Sequence, residues 1–387
     1  MQIKDIFSAN CWISVVVILA LIKNSLFVLL NFADFGIERI FYMTFAASIL
    51  LSFITLLFDK RQSQKRGVII TCLITFLVIF GCYLSIAHKF VKESFWQLFI
   101  FMLIPFNLIQ YIKKPYNFSY LIYISIFALY VLGLSISYLF KMMGLGYGAD
   151  GMLVSYAISI PSAALLYFAF MSRDNTKIII FLLLAIWGVY LTFQGGSRGS
   201  LIPIFFALVL GLVQRKINMK LVWLFGFILV LLYLNVEFIT GLLDESRSFT
   251  LLTGGSITQS DDRNSETWGP TINAIFESPL WGWGCFSDRT FTVGEQWAHN
   301  IFLEVASNYG LVLGIIFTIF IVRFTGKWCL KRDNKVLTTL FLISMPQLLV
   351  SNSYLLSIYF WIFFGFIIFW TQNSKYFKYN NDDMSLY

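Results

Sequence analysis

The sequence predicts an all-α polytopic membrane protein of about 12 transmembrane helices (roughly 10–12), with one large outer loop between the ninth and tenth. Three observations carry this expectation. Hydrophobic residues make up 58% of the chain and charged residues 12%, against roughly 45–50% and 25% in soluble domains. Apolar runs of roughly 20 residues recur from end to end, each long enough to cross about 30 Å of hydrocarbon. Only residues 241–298 are both long and polar. No room is left for a separate soluble domain, so residues 1–387 read as a single transmembrane domain with 241–298 as a loop within it.

Taken in order, the spans are 11–32, 40–58, 68–87, 95–112, 119–140, 152–171, 178–193, 201–213, 221–240, 300–322, 336–350 and 354–371. The first reads as a retained helix, because a small-residue cleavage site does not follow it. It contains Lys23, a lone intramembrane charge, for which a helix break with the lysine snorkelling outward is the expected accommodation. The eighth and eleventh spans are short and contain Pro203 and Pro346, so either is a candidate for a tilted, broken or re-entrant helix. No fixed-period repeat is visible. Cys285 is alone in the large loop, and the five cysteines show neither metal-ligand spacing nor a disulfide framework.

Charge sets the orientation. With the N-terminus inside and loops alternating, 19 of the 28 Lys and Arg residues fall in inner loops, 8 in outer loops, and Lys23 within the first span. That excess predicts cytoplasmic termini and an outer 241–298 loop. The net charge of +8 is therefore topological and does not mark a nucleic-acid partner. The loop itself holds eight acidic and three basic residues, so it is no polyanion trap.

Three outer segments carry candidate chemistry. Gly195-Gly196-Ser197-Arg198-Gly199-Ser200 joins two apolar runs. Its glycines allow several amides to converge, Ser200 is expected to cap the next helix with Pro203 in its first turn, and Arg198 completes an anion site. The competing reading is a tight turn whose arginine meets lipid headgroups. It is not a Walker loop, since the spacing and lysine are missing. Arg263, in Ser260-Asp261-Asp262-Arg263-Asn264, is either a second anion ligand or the partner of a neighbouring carboxylate. His299, where the loop re-enters the membrane at Trp297-Ala298-His299-Asn300, can serve as a general base near neutral pH or be an inert interfacial histidine. Trp268, Trp281, Trp283 and Trp297 could stack on sugar rings or anchor at the interface. Arg289 is given no role.

Together these segments resemble the O-antigen polymerase and O-antigen ligase superfamily. The resemblance lies in Ser197-Arg198-Gly199 opening a helix, Arg263 early in the large loop, Pro279-Leu280-Trp281-Gly282-Trp283-Gly284, and His299-Asn300 followed, after nine residues, by Gly310. It covers roughly residues 190–320; the first half matches only in being hydrophobic. Family members commonly have Gly, Thr or Tyr three residues beyond that glycine. Here Leu313 stands there and Gly314 follows, which predicts looser helix packing at that point.

The resemblance implies a bacterial inner-membrane enzyme with a periplasmic loop. Its activity would be metal-independent glycosyl transfer from a polyprenyl-diphosphate-linked oligosaccharide, with no nucleotide or other cofactor. His299, Arg198 and Arg263 would be catalytic, and Ser197, Gly199, Asn300 and Trp297 would bind substrate. Membrane lipid and other polysaccharide-assembly proteins would be its partners. A polymerase joining repeat units is the preferred reading; the alternatives are a ligase attaching glycan to lipid A-core and a lipid-linked oligosaccharide flippase. A transporter fits less well, because mid-membrane charge is nearly confined to Lys23 and the two halves differ.

Overall fold

The computed structural model describes residues 9–33, 37–58, 65–112, 116–142, 149–194, 197–214, 264–329 and 334–378. The described residues form helices and connecting turns, with no strand among them. In chain order the helices are α1 (Ala9–Ala33), α2 (Ile37–Phe58), α3 (Lys65–Tyr83), α4 (His88–Tyr111), α5 (Tyr116–Met142), α6 (Ala149–Met171), α7 (Asn175–Gln194) and α8 (Leu201–Gln214). After them come α9 (Gly269–Glu277), a one-turn α10 (Asp288–Phe291), α11 (Ile301–Tyr309), α12 (Leu311–Phe324), α13 (Lys335–Leu348) and α14 (Ile358–Lys378). Helices α1 to α7 contain 7 segments long and apolar enough to cross a membrane, while α8, α13 and α14 contribute shorter apolar segments. The expected ninth span, 221–240, lies outside the described residues.

Two helices make the centre. α6 is almost wholly buried among its neighbours, which its small residues permit: Ser159, Ala163 and Ala164 are fully enclosed and let helices approach closely. α14 is the aromatic counterpart, burying Phe360, Trp361, Phe363 and Phe366 in stacked and edge-to-face pairs with Phe364, Phe106, Phe341 and Phe369. Outward faces are apolar too: Met43 and Leu57 on α2 and Phe76 on α3 are exposed, as lipid-facing positions must be.

Two expectations fail here. α1 is continuous through Lys23, which neither breaks the helix nor snorkels. Lys23 is buried, with Nζ 4.1 Å from the ring centroid of Phe101 on α4. That ring sits in a π-helical stretch of α4, Leu98–Leu103, and its face supplies the favourable contact. The span expected at 300–322 is instead broken at Gly310, where α11 ends and α12 begins. Neither proline breaks its helix: Pro203 lies in the first turn of α8 and Pro346 in the last turn of α13.

Turns segregate to two ends. At one end, the α3–α4 turn meets residues 278–300, and residues 350–355 meet α11. At the other, Gln214 accepts a hydrogen bond from Tyr167 Oη at 2.7 Å and donates to Cys329 O, while Gln110 Nε2 donates to Gly365 O at 2.8 Å.

Candidate functional site

The first end is organised by unpaired helix carbonyls. A helix leaves its last carbonyls without intrahelical partners, and burial makes an unmet one costly. α11 ends beside α3, and residues 283–285 run between them donating in sequence. Trp283 N donates to Ser307 O at 2.8 Å, Gly284 N to Asn308 O at 3.0 Å, and Cys285 N to Gly81 O at 3.0 Å. Ser85 Oγ answers by donating to Cys285 O at 2.5 Å, and Leu311 N donates to Pro279 O at 2.7 Å. This explains the glycines of the Pro279–Gly284 stretch. A Cβ on Gly282, at φ 67°, would sit 2.6 Å from Asn308 O and one on Gly284, at φ 88°, 2.6 Å from Ser85 N; on the facing side, one on Gly310, at φ 87°, would sit 2.5 Å from Leu280 O. Gly314 restores the packing that Leu313 was expected to loosen. Its α-carbon faces Ala306, whose Cβ would lie 2.8 Å from an added Cβ, while Leu313 points outward.

From this knot the chain turns back toward α11 in a strained loop. The three non-glycine residues with left-handed backbone among those described, Phe286, Glu295 and His299, all lie in it. Asp288 is fully buried and its Oδ2 accepts from Ala298 N at 2.9 Å. Burial pushes the Asp288 carboxyl up to about 6, against the opposing pull of the Ala298 amide and the Arg289 guanidinium. Arg289 lies between two rings, 4.0 Å from Phe90 and 4.2 Å from Trp297, with Nε donating to Glu295 O at 2.9 Å. Lys89 pairs with Glu295 at 2.9 Å across the rim. Trp297 and Ala298 are thus each gripped by one residue of α10, and His299 follows them at φ 54°. Asn300 then caps α11, its Oδ1 accepting from Phe302 N at 3.0 Å and Leu303 N at 3.3 Å.

Below the cap, Glu304 is fully buried and accepts from Ser353 Oγ and from Tyr354 N at 3.1 Å. Asn308 joins the same cluster, donating to Tyr354 Oη at 3.2 Å and accepting from Ser287 Oγ at 3.2 Å. Residues 350–355 therefore clamp α11, and they also reach the Ser197 turn, since Val350 lies against Gly199.

The sequence-derived candidates divide accordingly. Trp297, His299 and Asn300 are adjacent at the loop–helix junction. Ser197, Arg198 and Gly199 lie on a separate turn at the same end, and among the described residues, 350–355 connect it to α11. In that turn Ser197 N donates to Ser155 Oγ at 3.4 Å, and Arg198 opens the 3-10 helix Arg198–Ser200. Ser200, expected to cap α8, donates its Oγ back to Ser197 O at 2.5 Å. Arg263 lies outside the described residues, with residues 241–262. Asn300 Oδ1 is engaged in capping and Trp297 in its stack with Arg289, so both have structural duties besides any toward substrate. No group of three or more metal-ligating side chains occurs among the described residues.

Sequence reading passed over Asp288, Arg289 and Glu304. Glu304 carried a usable signal, an acid at the start of an apolar helix. Arg289 and Asp288 carried none, because their partners are defined only by the loop's fold. Compared with known proteins, the chain matches no protein-family model, no curated protein and no solved structure.

Proposed function

We propose that the chain is a bacterial inner-membrane glycosyltransferase, an O-antigen polymerase that extends glycan at the periplasmic face. Its donor is a polyprenyl-diphosphate-linked oligosaccharide and its acceptor a sugar hydroxyl. The observation that carries this reading is His299 in left-handed backbone between two anchored neighbours. A non-glycine residue pays about 1–2 kcal/mol for that conformation, and strain of this kind collects at functional sites. Asp288 holds the preceding amide and Asn300 caps the following helix, so the imidazole is set at the mouth of α11.

In the proposed reaction the acceptor hydroxyl attacks the anomeric carbon of the donor and loses its proton to His299. The bond from that carbon to the diphosphate oxygen breaks, and the leaving lipid diphosphate takes the electron pair. Arg198 and Arg263, with the backbone amides that follow Ser197, stabilise its growing charge. About 12 crossings (roughly 10–12) and cytoplasmic termini belong to the same proposal. Its support is that turns assigned outside by charge, those near 85, 198, 290 and 352, gather at one end of the bundle.

The test is a deletion strain of the native host. Surface glycan should fall to a single repeat unit, and His299→Ala, inserted and abundant, should not restore the long-chain ladder. Long polymer accumulating on polyprenyl diphosphate would identify a ligase instead, and repeat units trapped inside would identify a flippase. Normal polymer from His299→Ala removes the general-base role.

A further inference from the structure

Helix α9 presents three faces. Thr271, Ala274 and Ile275 are buried, and the Ala274 carbonyl accepts Trp283 Nε1 at 2.7 Å. Asn273 and Glu277 are exposed and polar. Ile272 and Phe276 form a third face, apolar and exposed, which Leu280 and Trp281 extend beyond the helix; Phe276 is 69% exposed and Trp281 85%. At about 100° per residue, Ile272 and Phe276 stand about 40° apart, and Asn273 and Glu277 lie about 100° further round. An ordinary surface helix has one buried and one polar side. A helix with protein, apolar and polar sides needs a third environment.

Its neighbours identify that environment. Leu311 N bonds to Pro279 O, which sets Leu280 beside the start of α12, whose Val312, Ile315 and Ile316 are exposed. Ile86 N donates to Trp283 O at 3.2 Å, which brings the exposed Tyr83 and Leu84 at the end of α3 to the other flank. The apolar face of α9 is thus continuous with the outward walls of α3 and α12. Those walls belong to apolar helices of a membrane bundle, and hydrocarbon is what covers them.

We propose that residues 269–281 lie in the interfacial layer of the bilayer, with Ile272, Phe276, Leu280 and Trp281 in contact with lipid acyl chains. Asn273 and Glu277 face water on the same helix. A part of the polar loop is then a membrane-seated helix, as amphipathic interfacial helices are. Its tryptophan sits at the depth where that residue is enriched. The glycine knot of residues 279–285 consequently lies at the lipid–water boundary. Nothing in this placement requires the glycan chemistry proposed above.

The test uses the full chain in phosphatidylcholine–phosphatidylglycerol vesicles, with exposed Cys72 and half-buried Cys11 replaced by alanine. Phe276→Cys and Glu277→Cys are each given a nitroxide label, and collision with oxygen is compared with collision with a water-soluble nickel chelate. The ratio of oxygen to nickel accessibility should be several-fold higher at position 276 than at 277. Equal, nickel-dominated accessibility at both positions would overturn the proposal in favour of an aqueous loop. Shielding of position 276 from both reagents would also overturn it, by showing that protein covers the face: either another part of this chain or a second copy.

Discussion

A single methyl group added at Gly284 tests whether the knot between α3 and α11 holds this end together. The built Cβ would meet Ser85 N at 2.6 Å and Gly81 O at 2.7 Å, and φ is 88°. Two costs arise and can be separated. Left-handed backbone for a residue with a Cβ costs about 1–3 kcal/mol, and overpacking a filled site costs about 1–3 kcal/mol more. Gly294→Ala isolates the first cost, because Gly294 has φ 70° and its nearest foreign atom is 3.7 Å away. Gly326→Ala isolates neither, since nothing lies within 4 Å of its added Cβ; there the exchange should stabilise by about 0.5–1 kcal/mol. Gly284→Ala should therefore cost about 2–6 kcal/mol in all. It should also loosen the Trp283, Gly284 and Cys285 amide bonds that satisfy α11 and α3. The assay is unfolding in detergent at one fixed heating rate, since unfolding of such a protein is scan-rate dependent. The expected order of midpoints places Gly284→Ala well below Gly294→Ala, and Gly294→Ala below wild type and Gly326→Ala. A Gly284→Ala midpoint equal to that of Gly294→Ala would refute the close packing, whatever the fate of activity.

Asp288 gives a pH prediction. Its folded value of about 6 exceeds the ordinary 3.8, so its contribution is fully present below pH 3.8 and is lost as pH rises through 6. Asp288→Asn keeps an acceptor for Ala298 N and should weaken the fall in stability with rising pH between pH 4 and 6, matching or exceeding wild type at pH 8; a clear loss at pH 8 would contradict this. Asp288→Ala should be the less stable of the two by about 1–3 kcal/mol, because it strands a buried amide. Arg289→Ala, read from sequence as silent, should lower stability by about 1–3 kcal/mol through loss of two ring contacts, and a neutral result would dismiss the sandwich. Arg198→Lys keeps charge but loses the planar fork, so chain extension should fall, and full activity would argue for a headgroup contact instead. For topology, a cysteine at exposed Gln296 should react with an impermeant reagent in intact spheroplasts while one at exposed Asn175 should not. The reverse pattern inverts the orientation. Cys285 can stay in place, since it is buried and burial raises its thiol well above the usual range.

Most helices were legible because hydrophobicity is a local property. The apolar runs at 11–32, 119–140 and 152–171 reappear as α1, α5 and α6 within a few residues. The break at Gly310 was not legible, since a lone glycine in an apolar run does not announce a bend. The bend exists because Pro279 and Leu280 press against it from a segment about thirty residues away. Lys23 was misread for a similar reason: its accommodation depends on Phe101, from another helix.

By itself the sequence determined that this is a helical membrane protein and which short motifs deserve chemical scrutiny. Composition, run length and charge act through the bilayer one segment at a time, so they can be read without knowing neighbours. Only the tertiary structure decided what the motif residues do locally. Gly284 and Gly310 let backbones meet, Asn300 caps α11, Arg289 clamps Trp297, and Asp288 holds the amide before His299. Each role is set by a partner donor, carbonyl or ring that the fold supplies, in the case of Ser85 and Cys285 from 200 residues away, and no local pattern encodes such a pairing.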